Sequence, residues 1–199
     1  MVHFIDVGQG DSILVQTPGG KNMLVDAGGW PGELDSGEGA GQKVVVPYLR
    51  RLGVRRLNVL VITHPHEDHA GGMRAVVEAF PVDLVLVSPV GGTGSPSVSA
   101  GAHSRSSDKV PLTYRTLLLK IPHHGSRYLL PSFLEKTHPD VAVISVGRHN
   151  NFGHPAPETL EHLARMPVRV YRTDLDGAVI LRTDGKHIFV RTGRQRRAA

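Results

Sequence analysis

The stretch THPHEDHAGG at residues 63 to 72 sets His64, His66, Asp68 and His69 within six positions. Imidazoles and a carboxylate so crowded form the donor set of a borderline divalent ion such as zinc, with manganese or iron also served when carboxylate and water complete the shell. Pro65 disfavours helical backbone at His64, so this is not the helical HExxH arrangement. The two-residue step instead lets His64 and His66 project the same way from extended chain, and Asp68 and His69 follow around the bend. The plain alternative, a polar surface loop with chance histidines, seldom reaches this density.

Other residues suited to chemistry stand at strand ends. HHGS at 123 to 126 offers His123 and His124 as metal ligand, phosphate hydrogen-bond donor or general acid, or as a cross-link between loops. Gly125 lets backbone approach a ligand, and Ser126 can cap a turn or bind an oxyanion of substrate. His154 in FGHP lies between a strand and a helix. Asp26 ends a strand before Ala-Gly-Gly, where it can orient a histidine or simply make a turn. VGQGDS lacks the Lys and following helix of a phosphate-binding loop and reads as a hairpin turn. Two basic groups, Arg50, Arg51, Arg55 and Arg56, and then Arg191, Arg194, Arg196 and Arg197, can meet phosphates, although solvated faces and frayed termini are their commoner use.

The elements that must position these groups follow from periodicity and turn residues. VHFIDV, SILVQT and NMLVD read as a β-meander, and QKVVVPYLRRLGV as a helix stopped near Gly53. LNVLVIT reads as a strand buried on both faces, AGGMRAVVEAF at 70 to 80 as a helix, and VDLVLVS as the next strand. GGTGSPSVSAGAHSRSSDK at 91 to 109 is a low-complexity Gly/Ser stretch to which we assign no chemistry. Beyond it come strand LTYRTLLLKIP, short helix PSFLEKT, buried strand VAVISVG and amphipathic helix APETLEHLARM. Strands VRVYRT, AVILRT and KHIFVRT follow, joined by DLDG and DGK turns. Strands at both ends with helices between predict two sheets packed face to face, with helices outside.

Composition narrows the class. At 199 residues, 40% of them hydrophobic and 21% charged, the chain can bury one core, which predicts a single domain over 1–193 with a basic tail at 194–199. No cysteine is present, which excludes disulfides, thiolate nucleophiles and Cys-based zinc sites. No apolar run reaches the roughly 20 residues of a bilayer span, and no charged-then-apolar leader follows Met1, so a soluble domain is expected. A net charge of +5 and a pI near 9.8 mildly favour an anionic partner such as nucleic acid.

THPHEDHAGG and LVDAGG resemble the HxHxDH and strand-end Asp motifs of the metallo-β-lactamase superfamily. VHFIDVGQGDSILVQTP, ITHPHEDHAGG, LKIPHHGS, VAVISVG, FGHPAPETL and YRTDLDGAV, in that order, resemble the C-terminal hydrolase domain of ComEC-type DNA-uptake proteins. The resemblance implies an α/β, four-layer αββα sandwich and two divalent ions, zinc or manganese. His64 and His66 would hold the first ion, Asp68 and His69 the second, and His154 would join them. Asp68, His123 and His124 would serve catalysis, Asp26 would support the ligand loop, and Ser126 would contact substrate. It further implies a nuclease acting on DNA, single-stranded in this reading, that degrades the strand not imported. Its partner would be the membrane-channel portion of the family protein, which tethers the domain to the bacterial cell membrane.

The pattern breaks at one place. The superfamily carries an Asp that bridges the metals, and none stands at a strand end between the ligand loop and HHGS. The region is replaced by GGTGSPSVSAGAHSRSSDKVPLTYR, so strands are expected to be missing around residues 91–116, and Asp108 in that stretch is not assigned as a ligand. A hydrolase of small esters, thioesters or lactams, and a catalytically silent metal- or DNA-binding module, are the alternative readings.

Overall fold

The computed structural model describes residues 1–88, 118–129 and 131–194. The expected meander is present: β1 (Val2–Phe4), β2 (Ile13–Gln16) and β3 (Asn22–Val25) pair antiparallel in turn. A short helix α1 (Glu33–Ser36) follows, and then a π-turn at Gly41–Val45 that runs directly into α2 (Val46–Arg51). Pro47 falls in the first turn of α2, directly after the π-turn. β4 (Val59–Ile62) adds to β3 in parallel. The predicted helix at 70 to 80 proves to be two, α3 (Glu67–Ala70) and α4 (Met73–Ala79), broken at Gly71 and Gly72.

Three further elements, β5 (Val85–Val87), β6 (Leu118–Lys120) and α5 (Pro131–Thr137), lead to β7 (Val141–Ile144) and α6 (Pro157–Ala164). The chain closes with β8 (Arg169–Arg172), the single turn α7 (Thr173–Asp176), β9 (Val179–Thr183) and β10 (Ile188–Thr192). The strands form a seven-stranded sheet ordered β10-β9-β1-β2-β3-β4-β5 and a three-stranded sheet ordered β6-β7-β8. DGK makes a hairpin between β9 and β10, as expected. DLDG does not: β8 and β9 belong to different sheets, and α7 carries the chain across. Thr173 locks that crossing, its hydroxyl accepting from Val146 N–H (2.7 Å) and donating to Val146 O (2.9 Å).

Three apolar clusters make the four layers. Leu14, Leu24 and Leu60 of the large sheet pack on Val45, Leu49 and Val76 from the π-turn, α2 and α4. Phe4, Val179 and Leu181 meet Val141 and Val143 between the sheets. Ala142 and Ile144, on the opposite face of β7, pack under Leu134 and Leu163 of α5 and α6. Each fully buried aliphatic side chain of this kind contributes about 1.5–3 kcal/mol. β7 is therefore the strand buried on both faces. β4 alternates, with Leu60 and Ile62 buried but Val59 and Val61 half-exposed. β5 lies at the sheet edge among the described residues, with Val85, Leu86 and Val87 exposed. The expectation of missing strands falls on 91–116, all of which lies outside the described residues.

Glu33 was not singled out by its sequence context, yet its carboxylate is buried and accepts the backbone N–H groups of Trp30 (2.8 Å), Ala40 (2.7 Å) and Gly41 (2.8 Å). It folds the Gly-rich loop onto itself. Glu33→Ala leaves buried donors unpaired, each costing about 1–3 kcal/mol. The expected outcome is a lower urea midpoint together with a red shift in the emission of Trp30, the chain's single tryptophan.

Candidate metal centre

β1, β3 and β4 of the large sheet point the same way, as do β6 and β7 of the small one, and their C-terminal ends meet at one edge of the sandwich. The loops leaving them are GQGD, DAGG, THPHEDH, HHGS and GRHNNFGHP. This is how groups from residues 9 to 154 come to line one cavity of about 650 Å³. Its walls include Gln9, Trp30, Asn150 and Phe152, together with His64, His66, His69, His123, His124, His149 and His154.

Asp26 organises the ligand loop from below. It is buried at the end of β3, at a left-handed φ of 57°, and both its oxygens are engaged. Oδ1 accepts Thr63 N–H (2.8 Å), while Oδ2 accepts the Thr63 hydroxyl (2.6 Å) and His69 Nδ1–H (2.8 Å). Having given its proton to Asp26, the Thr63 hydroxyl accepts from His64 Nδ1–H (3.0 Å). His124 Nδ1–H likewise donates to Ser145 O (2.7 Å) at the end of β7. Each of the three imidazoles thus has its Nδ1 engaged, which leaves Nε2 as the atom to meet an ion.

Those nitrogens converge on Asp68. His124 Nε2 stands 3.2 Å and His69 Nε2 3.5 Å from Asp68 Oδ2. The ring of His64 lies 3.8 Å from that of His69, centroid to centroid. Two donor groups result, His64–Asp68–His69 and Asp11–His69–His124, the donor atoms of each within 4.8 Å of one another and His69 shared. His66 caps α3 with its ring 4.8 Å from His64, exposed at the rim.

Asp11 is the residue that sequence reasoning missed, because GQGD scans locally as a turn. Gly10, at φ 133°, lies so close to α3 that a β-carbon there would overlap the Asp68 carbonyl. Asp11 N–H then donates to Asp68 O (3.1 Å), and the carboxylate is buried beside His69 with Oδ1 lacking any hydrogen-bond partner. Lys120, also unforeseen, bonds its Nζ to Asp11 Oδ2. An orphaned buried carboxylate oxygen next to imidazoles with free Nε2 atoms is a donor set that fits a divalent cation.

The remaining expected residues divide. His123 is exposed over the cavity, and His154 lies beside it with ring centroids 6.1 Å apart. His154 stacks on Phe152 and is outside both donor groups; its loop is held by Asn150, which accepts from His154 N–H (3.0 Å) and donates to His154 O (2.7 Å). His154 still lines the cavity, and its buried Nδ1 has no hydrogen-bond partner among the described residues. Ser126 is buried, its Oγ accepting Tyr128 N–H (3.3 Å), and it does not line the main cavity. Of the arginines, Arg56 pairs with Asp83 and Arg194 with Asp6, whereas Arg196 and Arg197 lie outside the described residues.

The electrostatics follow from this crowding. Burial works to raise the Asp68 carboxyl, but the His124 hydrogen bond and the charges of His69 and His124 outweigh it and hold the group down to about 2. Burial lowers His124, yet Asp68, Asp11 and the Ser145 carbonyl raise it overall. His64 and His154 are both lowered, by burial first and by neighbouring histidines second. In the metal-free chain the raised His124 contributes stability fully present below its unfolded pKa and lost as pH rises through its folded one. The depressed Asp68 contributes stability present above its unfolded pKa and lost as pH falls toward about 2. A metal must displace the His124 proton, so the rise in Tm on adding zinc is expected to grow between about pH 5 and pH 8. An increment independent of pH would contradict His124 as a ligand.

The match to known proteins runs along this framework. The chain is 26% identical over 252 residues to ComE operon protein 3 of Bacillus subtilis, covering 89% of this chain and 32% of that protein. It is 26% identical over 228 residues to Recombination protein 2 of Haemophilus influenzae, covering 89% and 28%. It is 27% identical over 222 residues to Competence protein ComA of Neisseria gonorrhoeae, covering 87% and 31%. The chain spans about a third of these relatives' length, and among the described residues no helix is long and apolar enough to cross a membrane. An alignment of 252 residues that takes in 89% of a 199-residue chain also means that the relative carries residues with no counterpart here. Residues 5–162, which hold all the cage residues, match the family itself: the chain belongs to the metallo-beta-lactamase superfamily of metal-dependent hydrolases and is related to ComEC-type competence proteins.

Proposed function

We propose that this chain is a metal-dependent phosphodiesterase acting on DNA, single-stranded by preference, and that it degrades the strand not imported during DNA uptake. The observation that carries the reading is a cage of imidazoles and carboxylates at the floor of a cavity whose rim offers both protons and flat apolar surface. His64, Asp68, His69 and His124 would hold a divalent ion, zinc or manganese, with His66 at the rim beside them. Such an ion supplies Lewis acidity toward a phosphoryl oxygen and an acidified water.

The chain's own residues do the rest. His123 is exposed, with no ion-pair partner among the described residues, and is placed to protonate the leaving oxygen. Gln9 Oε1 accepts Gly147 N–H and Asn150 ties the 147–154 loop together, so both hold the cavity's shape. Trp30 and Phe152 flank the opening, where bases of a single strand can stack.

The test sets labelled single-stranded DNA against a chromogenic ester, with zinc or manganese added, for the wild type and for His66→Ala. DNA cleavage that needs metal and falls in the variant supports the proposal. Turnover of the ester alone would assign the cage to small-molecule hydrolysis, and DNA binding without any turnover would make the chain a silent module.

A further inference from the structure

We propose that a second cavity, on the far side of His123 from the cage, is a nucleobase subsite, in which the base of the nucleotide leaving the cleaved phosphate rests against Tyr128 and Phe133. The assignment rests on the DNA-cleaving reading above and gives the leaving side of the strand a place to bind.

The cavity holds about 300 Å³ and is lined by Pro122, His123, Ser126, Tyr128, Leu129 and Phe133. That volume is at the small end of the roughly 300–1,000 Å³ usual for ligand pockets, room for one planar ring system. His123 is the wall it shares with the main cavity. The backbone of His123 is left-handed, at φ 51°, and its exposed ring stands where the two cavities meet. A strand whose phosphate lies over the cage, and whose leaving oxygen takes its proton from His123, continues past that ring into the second cavity. The walls are built before any ligand arrives. Ser126 N–H donates to His123 O (2.9 Å), Leu129 N–H to Ser126 O (3.2 Å) and the Thr159 hydroxyl to the same Ser126 O (3.0 Å). Ser126 Oγ accepts Tyr128 N–H (3.3 Å), so the serine steadies the aromatic residue beside it.

Aromatic placement and charge identify the ligand. Among the described residues the exposed Phe, Tyr and Trp side chains are Trp30, Tyr128, Phe133, Phe152 and Phe189, and only Phe189 lies away from the two cavities. Tyr128 is 84% exposed and Phe133 41%, so neither ring is used up by the core. Flat rings left in water on both sides of a phosphodiesterase site suit bases, every one of which has a face to stack. Cations lie alongside. Arg127 is exposed with no carboxylate partner among the described residues, and its charge reaches His154 in the main cavity, where it helps to lower the imidazole's pKa. Lys136, also exposed, stands one turn after Phe133 on α5, while Glu135 of the same helix is turned toward His162 (3.9 Å). A phosphate on either side of the bound base would meet these cations; an aliphatic acyl group would use neither.

The experiment measures binding with a chelator present, so that the strand is not cut. A fluorescent oligothymidylate and a strand of the same length whose sugars carry no bases are titrated against the wild type, Tyr128→Ala, Phe133→Ala and Tyr128→Phe, with folding checked by circular dichroism. Tyr128→Ala and Phe133→Ala are expected to weaken binding of the oligothymidylate by about 5–100-fold, the loss of one stacked base, and to leave binding of the base-free strand unchanged. Tyr128→Phe keeps the ring and restores the preference for bases. Should Phe133→Ala not fold, the exposed Tyr128 decides. An equal loss on both strands, or none on either, would overturn the proposal and leave the nuclease reading intact. So would a Tyr128→Ala variant that loses turnover of an apolar chromogenic ester yet binds oligothymidylate as the wild type does, which assigns the cavity to an acyl group. A wild type that neither binds oligothymidylate nor cuts it when zinc or manganese is supplied brings down the DNA reading itself, and the subsite with it.

Discussion

Replacing His69 with alanine is expected to empty the cage and abolish hydrolysis, the largest single effect in this chain. His69 belongs to both donor groups, and its Nε2 is aimed at Asp68 by a Nδ1–H bond to buried Asp26. No neighbouring side chain can take its place, because His64 and His124 are each tied through their own Nδ1 to other partners. A bound ion is worth several kcal/mol in the transition state, and each 1.4 kcal/mol is a decade in rate, so a fall of about 10³-fold or more is expected. Bound metal and DNA cleavage measured on one preparation check it. A variant that keeps its metal and its rate would remove His69 from the centre of the site.

Asp26→Asn is expected to weaken metal affinity by about 10–100-fold without touching the metal. Asn has one oxygen where Asp26 uses two. Whichever way the amide turns, its NH₂ group faces either the Thr63 N–H, two donors meeting, or the position that now accepts both the Thr63 hydroxyl and His69 Nδ1–H. In the second case His69 is free to move its proton to Nε2, the atom meant for the ion. The substitution should also lower stability by about 1–3 kcal/mol, since the unmatched donor is buried. Zinc titration and urea denaturation separate the two effects. Unchanged zinc affinity with lowered stability would confine Asp26 to a structural part.

The close packing of the two glycine pairs shows why the ligand loop has the sequence it has. A β-carbon on Gly29 would collide with the Glu67 carbonyl, and one on Gly72 with Ala27 O, because the DAGG loop and α3 lie backbone against backbone. Ala27 N–H donates to His69 O (2.8 Å), and Gly72 N–H to Gly28 O (2.8 Å). The small residues on either side of the histidines are therefore part of what aims them.

Much of this was legible in the chain itself. Strand periods, turn residues and histidines placed at strand ends gave the strands and the ligand loop, since each depends on residues close together in sequence, while resemblance pointed to Asp26, whose partners Thr63 and His69 stand 37 and 43 positions away. Three things were not. Asp11 scanned as turn chemistry, because nothing near it shows that Gly10 allows the turn to rest on α3. Lys120 scanned as the polar position of a strand, and only the meeting of the two sheets sets it against a residue 109 positions earlier. Resemblance set His154 among the ligands and His123 and His124 in catalysis, whereas the structure groups His124 with His69 and Asp11 and sets His123 beside His154 at the cavity. Local sequence marked which residues could ligate; the packing of distant segments is what ties His69 to Asp26 and His124 to Ser145 through Nδ1, because those partners lie 43 and 21 positions away, and it leaves each Nε2 for an ion.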